Sequence, residues 1–226
     1  TRPGSPLPRR GDEIMVCGQL FHTGAPVVLW TDPGGYDAYR TERRFVPWDK
    51  ASWDATAPEK KLKTPERFGV RYGNAMLEAS EAPLSAADFD RVRGGGWDLP
   101  TLQRIVDQFV LHYDAAGSSR SCFRTLQDAR GLSVHFMLDL DGTIYQTLDV
   151  KERAWHATIA NDRSVGIEIA NIGAYTAKES PVLDRWYRRD ATGRATIALP
   201  PELDHSQRSP GPFHPDRDEP IVGLVQ

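Results

Sequence analysis

The chain has 226 residues, with 28 Lys and Arg against 31 Asp and Glu, giving a formal net charge of −3. That length suits one large domain, or one domain with extensions. The scattered basic residues and a pI near 6.1 exclude a dedicated nucleic-acid groove. Only 39% of the residues are apolar and 17 are proline, so long irregular stretches are expected. Two cysteines, Cys17 and Cys122, cannot build a thiolate metal site, so any metal must use histidine and carboxylate. Whether the two pair is open at this level. No window approaches the roughly 20 apolar residues of a membrane span.

Residues 1–12 read as an extended lead-in. Glu13 to Leu20 and Val27 to Trp30 follow as two short strands, joined by a turn-rich link in which His22 is a solvated histidine. The stretch from Tyr36 to Lys63 has no clean period, and Trp48 and Trp53 within it are expected to pack on the main body like a clasp. Gly94-Gly95-Gly96-Trp97-Asp98-Leu99-Pro100 marks a boundary. The organisation expected is therefore an N-terminal extension with a β-hairpin over 1–99, a core over 100–175, and a hairpin with a proline-rich arm over 176–226.

The core opens with the strand ending Phe109-Val110-Leu111-His112-Tyr113. By alternation, Phe109 and Leu111 point one way and Val110 and His112 the other. His112 lies near the strand's C-terminal end, where open α/β sheets place their ligands. Ser118-Ser119 can cap a helix that stops at Gly131, with Cys122, Leu126 and Ala129 as its apolar stripe. Cys122 then reads as a small buried hydrophobe. Asp141-Gly142 between Val134–Asp139 and Thr143–Leu148 signals a hairpin. His135 on its first strand reads as a hydrogen-bonded structural group.

The strand Val165 to Asn171 has Val165, Ile167 and Ile169 on one face. On the other, Gly166 and Ala170 leave open space around the Glu168 carboxylate. An ionisable group in an aliphatic strand costs roughly 2–7 kcal/mol if buried unpaired, so Glu168 points to chemistry. Beyond Ala174 the character changes. Arg185 to Arg189 and Arg194 to Leu199 can pair across Ala191-Thr192-Gly193, and a proline- and charge-rich arm follows.

Five fragments together carry a resemblance. They are His112-Tyr113-Asp114, Ser133-Val134-His135-Phe136, Asp141-Gly142-Thr143-Ile144-Tyr145-Gln146, Ala154-Trp155-His156-Ala157, and the run from Asn161 to Ile169. In this order they resemble the zinc-dependent N-acetylmuramoyl-L-alanine amidases, a family that includes the peptidoglycan recognition proteins. The resemblance covers about residues 100–175. It implies an α/β fold, with a central mixed β-sheet flanked by helices and Zn2+ in a surface groove. The ion is held there by two histidines and an Asp or Cys, with water in the open position. Position by position, His112 matches the first metal ligand and Glu168 the catalytic acid. Trp155, His156 and Asn161 match substrate-binding positions lining the groove.

The family's remaining segment brings a second histidine, a lysine and then Asp-Pro-Gly-Pro. The nearest match is His205-Ser206-Gln207-Arg208-Ser209-Pro210-Gly211-Pro212, which has serine in place of the acid and lacks the lysine. The amidase domain is therefore expected to be incomplete, the sequence ending inside an insertion. Phe109, Leu111, Ile167 and Ile169 would then be open to solvent. Two function classes follow. One is an amidase cutting between N-acetylmuramic acid and L-alanine in peptidoglycan or muropeptides. The other is a non-catalytic peptidoglycan-binding module or inactive fragment. The expected location is the bacterial envelope or the exterior, with a cytoplasmic recycling role as a variant.

Overall fold

The computed structural model describes residues 9–39, 68–71, 84–93, 96–176, 178, 181–198 and 222–224. Trp48, Trp53 and His205 lie outside the described residues.

The chain enters through a hairpin of β1 (Glu13–Val16) and β2 (Gln19–His22). The strand expected from Glu13 to Leu20 is thus broken in two. Cys17 (φ 51°) and Gly18 (φ 73°) both take the left-handed conformation that a two-residue hairpin turn requires. The Asp149 carboxylate fixes that turn, accepting from the backbone N–H of Cys17 at 2.8 Å and of Gly18 at 2.7 Å. His22 is exposed and sits 2.8 Å from Asp12 Oδ1. Neither cysteine is in a disulfide.

Next come β3 (Val27–Leu29), β4 (Phe68–Val70), α1 (Ala86–Arg93), α2 (Leu99–Ile105) and β5 (Gln108–Tyr113). Asp98 caps α2, its side chain accepting from Thr101 N at 2.8 Å. Helix α3 (Ser119–Arg124) starts at its Ser118 cap and widens into a π-helical turn over Thr125–Arg130. Gly131, at φ 65°, then closes it, as the sequence indicated. The π turn rotates Gln127 inward beside Cys122 and Leu126 and leaves Ala129 exposed, so the expected stripe loses its last member.

The Asp141-Gly142 hairpin forms as expected between β6 (Phe136–Leu138) and β7 (Ile144–Gln146). After it come β8 (Glu152–Ala154), β9 (Ser164–Ile169), α4 (Pro181–Trp186), β10 (Tyr187–Arg189), β11 (Ala195–Ala198) and β12 (Val222–Leu224). The hairpin expected near 185–199 is β10–β11. Trp186, at the end of α4, is buried against Gly117, where a Cβ would lie 2.2 Å from the indole.

The central sheet has five strands in the order β3-β7-β6-β9-β5. The pairs β3–β7, β6–β9 and β9–β5 are parallel, and β6–β7 is antiparallel. This is the mixed α/β sheet that the core motifs implied. The sheet crosses the boundary expected at residue 99, because β3 comes from the N-terminal part. Val27, Val28 and Leu29 are buried on both faces, as an integral strand requires.

One face packs Val28, Met137 and Tyr145 under Cys122, Leu126 and Val134. The other packs Phe136 and Val165 under Leu102 and Val150, with Ile14 and Val16 alongside. On that second face the edge strand β5 is open. Phe109, Leu111 and Tyr113 are 58%, 65% and 63% exposed, while Ile167 and Ile169 are half-buried. The opening expected along this face is thus concentrated on β5.

Candidate functional site

His112 and Glu168 are direct partners in the parallel register of β5 and β9. Each is the last residue but one of its strand, so both project from one face at the C-terminal ends of parallel strands. The loop between β8 and β9 carries Trp155, His156 and Asn161, and it brings the His156 ring onto that same face. His156 Nδ1 lies 2.9 Å from His112 Nε2, and the two rings meet edge to face. The other ring nitrogen of His156 is 3.1 Å from Ser164 Oγ.

Gly166 makes this placement possible. A Cβ there would come within 2.5 Å of the His156 ring, so the imidazole lies directly on the glycine. The space that the sequence suggested beside Glu168 is therefore filled, at Gly166, by His156. Strand alternation could not reveal this, because the ring arrives from a loop.

Asn161 is buried, and its side-chain oxygen accepts from His156 N at 3.0 Å and Ala157 N at 2.7 Å. Its carboxamide thus shapes the turn that follows Trp155. Thr158 holds φ 50° in that loop, an uncommon conformation for a β-branched residue. Next to it, Ile159 projects fully into solvent. Trp155 is tied to Ser133 through its backbone, donating to Ser133 Oγ at 2.9 Å. Its indole N–H is buried without a hydrogen-bond partner among the described residues.

Beneath the loop, His135 is fully buried. Its Nδ1 accepts from Gly166 N at 3.2 Å, while its Nε2 lies 2.9 Å from Glu152 O and 2.8 Å from Arg71 Nη2. His135 thus does structural work under the site, as its sequence context indicated.

The electrostatics favour neutral imidazoles and a carboxylate poised near neutrality. Burial, with the neighbouring Asp114 charge, pushes the Glu168 carboxyl up to about 7, with Arg130 opposing. Burial lowers His112. Burial lowers His156 to about 4, helped by His112, Arg71 and Arg153. Asp114 is itself raised by burial, although Ala116, Gly117 and Asn171 all donate backbone N–H groups to it. Among the described residues, Glu168 has no hydrogen-bond partner.

In the chelator-treated protein these groups tie stability to pH in opposite senses. Glu168 goes from 4.5 unfolded to about 7 folded, so its contribution is full below pH 4.5 and is lost as pH rises to 7. His156 goes from 6.5 unfolded to about 4 folded, so its contribution is full above pH 6.5 and fades as pH falls toward 4. Buried His135 acts in the same sense as His156. Between pH 7 and pH 5, Glu168→Gln should therefore lose more thermal stability than the wild type, since the opposing carboxyl is gone. Circular-dichroism melts at the two pH values measure this, and equal losses would contradict it.

For a metal, the site offers the His112 and His156 nitrogens, close enough together to face one ion. Zinc takes three protein ligands at a catalytic site. Among the described residues, the one three-ligand cluster is Asp12, Glu13 and His22, in the N-terminal hairpin. Glu13 there is already engaged by the backbone N–H groups of Arg10 and Gly11. The described part of the site thus meets a zinc ion's needs in part, with nitrogen donors of the right chemistry and no third ligand.

The mixed sheet thus sets an imidazole and a half-buried carboxylate side by side at its strand ends. Residues 102–207, just under half the chain, match the family model described as N-acetylmuramoyl-L-alanine amidase. That match begins in α2, includes all five fragments singled out in the sequence, and runs on through the β10–β11 hairpin. No curated protein matches the chain. No helix among the described residues is long and apolar enough to cross a membrane.

Sequence reading did not find Arg71, Ser164 or the role of Gly166. The family fragments contain Ser164 and Gly166, but only the folded loop shows what they touch. Arg71 sits outside every recognisable motif.

Proposed function

We propose that this chain is a zinc-dependent amidase that hydrolyses the bond between N-acetylmuramic acid and L-alanine in peptidoglycan or muropeptides. The observation that supports it most is the His112–Glu168 register pair, with a half-buried carboxylate that burial pushes up to about 7. A general base works best with a pKa near the operating pH. Glu168 Oε would take the proton of the attacking water and then deliver it to the leaving amine nitrogen. His112 would be the first metal ligand, its ring reaching the ion once the contact with His156 gives way. His156 buttresses His112 from the β8–β9 loop, and Asn161 sets the curvature of that loop beside Trp155. Zinc, when bound, would polarise the scissile carbonyl and acidify the attacking water. The substrate would place the protein at the bacterial envelope, or among soluble wall fragments.

Zinc titration and hydrolysis of a soluble muropeptide test the reading together. Activity should disappear with a chelator and return with zinc, and His112→Ala should lose both zinc binding and hydrolysis. Full activity in the chelator, or in His112→Ala, would contradict it. The partial ligand set favours a second reading, a peptidoglycan-binding module without turnover. That reading expects muropeptide binding in calorimetry with no cleavage.

A further inference from the structure

Arg71 is the largest fully buried side chain of the described structure, and it lies outside the segment that matches the amidase model. Its guanidinium meets backbone carbonyls and one imidazole. Nε and Nη2 donate to Val150 O at 3.2 and 2.7 Å, and Nη1 donates to Ser164 O at 2.6 Å. Nη1 also reaches Asn161 O and Asp162 O, each at 3.4 Å. Nη2 lies 2.8 Å from His135 Nε2. No carboxylate is hydrogen-bonded to it among the described residues. A buried cation is costly unless its donors are filled, and here carbonyls fill them.

Where those carbonyls lie matters. Val150 and Ser164 flank the loop that carries Trp155, His156 and Asn161, so one planar group ties the loop's two ends at its neck. Asn161 braces the same loop from inside, and Thr158 keeps its left-handed backbone between the two braces. Strand β4, one residue before Arg71, pairs with β8 at the loop's start. The loop can therefore shift only if the neck opens or β4 leaves β8. His156 meets His112 from this loop, with its ring resting on Gly166.

We propose that Arg71 is a positioning residue, whose guanidinium closes the neck of the 150–164 loop and thereby holds His156 against His112 and Gly166. Its effect on hydrolysis rests on the amidase reading above. Its effect on the loop does not. Lysine keeps the charge but cannot reach both ends of the neck, because it lacks the planar fork of donors. Methionine removes the charge as well.

The test is a cycle of Arg71→Lys and Arg71→Met, each with and without His156→Ala. Backbone hydrogen exchange and the kcat and KM for a soluble muropeptide are the readouts. Arg71→Lys should speed exchange about tenfold or more over 151–163 and leave β5, β6 and β9 unchanged, as expected for local opening. It should lower kcat/KM about tenfold through lost orientation, and Arg71→Met should lower it further. With His156→Ala present, the lysine replacement should cost less than about twofold, because groups that act through one another are not additive. A uniform rise in exchange, or additive losses of kcat/KM, would overturn the proposal. So would failure of both Arg71 variants to fold, since the guanidinium would then hold the domain and not the loop. If the wild type hydrolyses nothing, the amidase reading fails and the exchange pattern alone decides for Arg71.

Discussion

Glu168→Gln is expected to lower muropeptide hydrolysis by at least about 10²-fold, the usual scale for losing a general base. The loss should fall on kcat, with zinc binding and folding retained. Glutamine keeps the size of the side chain and its place opposite His112, but it cannot accept a proton from water. Burial and the Asp114 charge raise Glu168 to about 7. A zinc ion close by favours the ionised form, so the wild-type rate should fall on the acid side of that value, as the carboxylate becomes protonated. The variant should lose that acid limb. Steady-state assays from pH 5 to 9 with chelated and zinc-loaded protein check this. Near-normal turnover by the variant would show that another group is the base.

The second large effect is expected at Gly166. An alanine Cβ there would sit 2.5 Å from the His156 ring, well inside contact distance. The ring is also pinned from other sides, by His112 at 2.9 Å and Ser164 at 3.1 Å. Gly166→Ala should thus cost about 1–3 kcal/mol of stability, the range for overpacking a filled site. It should also reduce hydrolysis, because His156 must leave His112. The matching double variant, Gly166→Ala with His156→Ala, makes room for the new methyl. Its stability loss should be well below the sum of the single losses, since the two sites share one contact. Denaturant unfolding of the four proteins measures the coupling, and additive losses would show that the ring does not rest on the glycine.

The contrast between these residues shows what was legible in the sequence. His112 and Glu168 could be read because alternation along a strand is local, and each is a polar residue in an apolar run. Parallel pairing then put them in register. The Asp141-Gly142 turn and the Gly131 stop were equally local, since each depends on a backbone conformation that glycine favours. The position of β3 was not readable, because its partner β7 is more than a hundred residues away and any short apolar strand could have filled that edge. The Cys17-Gly18 turn was hidden for another reason. Cysteine is not a usual left-handed residue, and the Asp149 carboxylate that steadies it is distant in sequence. Within the site, Asn161 belonged to a recognised motif, but its inward side chain had to be seen. Arg71 lay furthest from view, since its partners are mostly backbone carbonyls, which every residue possesses.

The most direct test of the account is the identity of the product. The zinc-loaded chain would be incubated with a defined muropeptide carrying N-acetylmuramic acid and an L-alanine-led stem peptide, and the mixture resolved by liquid chromatography and mass spectrometry. The account expects one free N-acetylmuramic-acid-containing sugar and one intact stem peptide whose new N-terminus is L-alanine, with both absent in the Glu168→Gln reaction. Muropeptide recovered intact under zinc, or cut at any other bond, would contradict it.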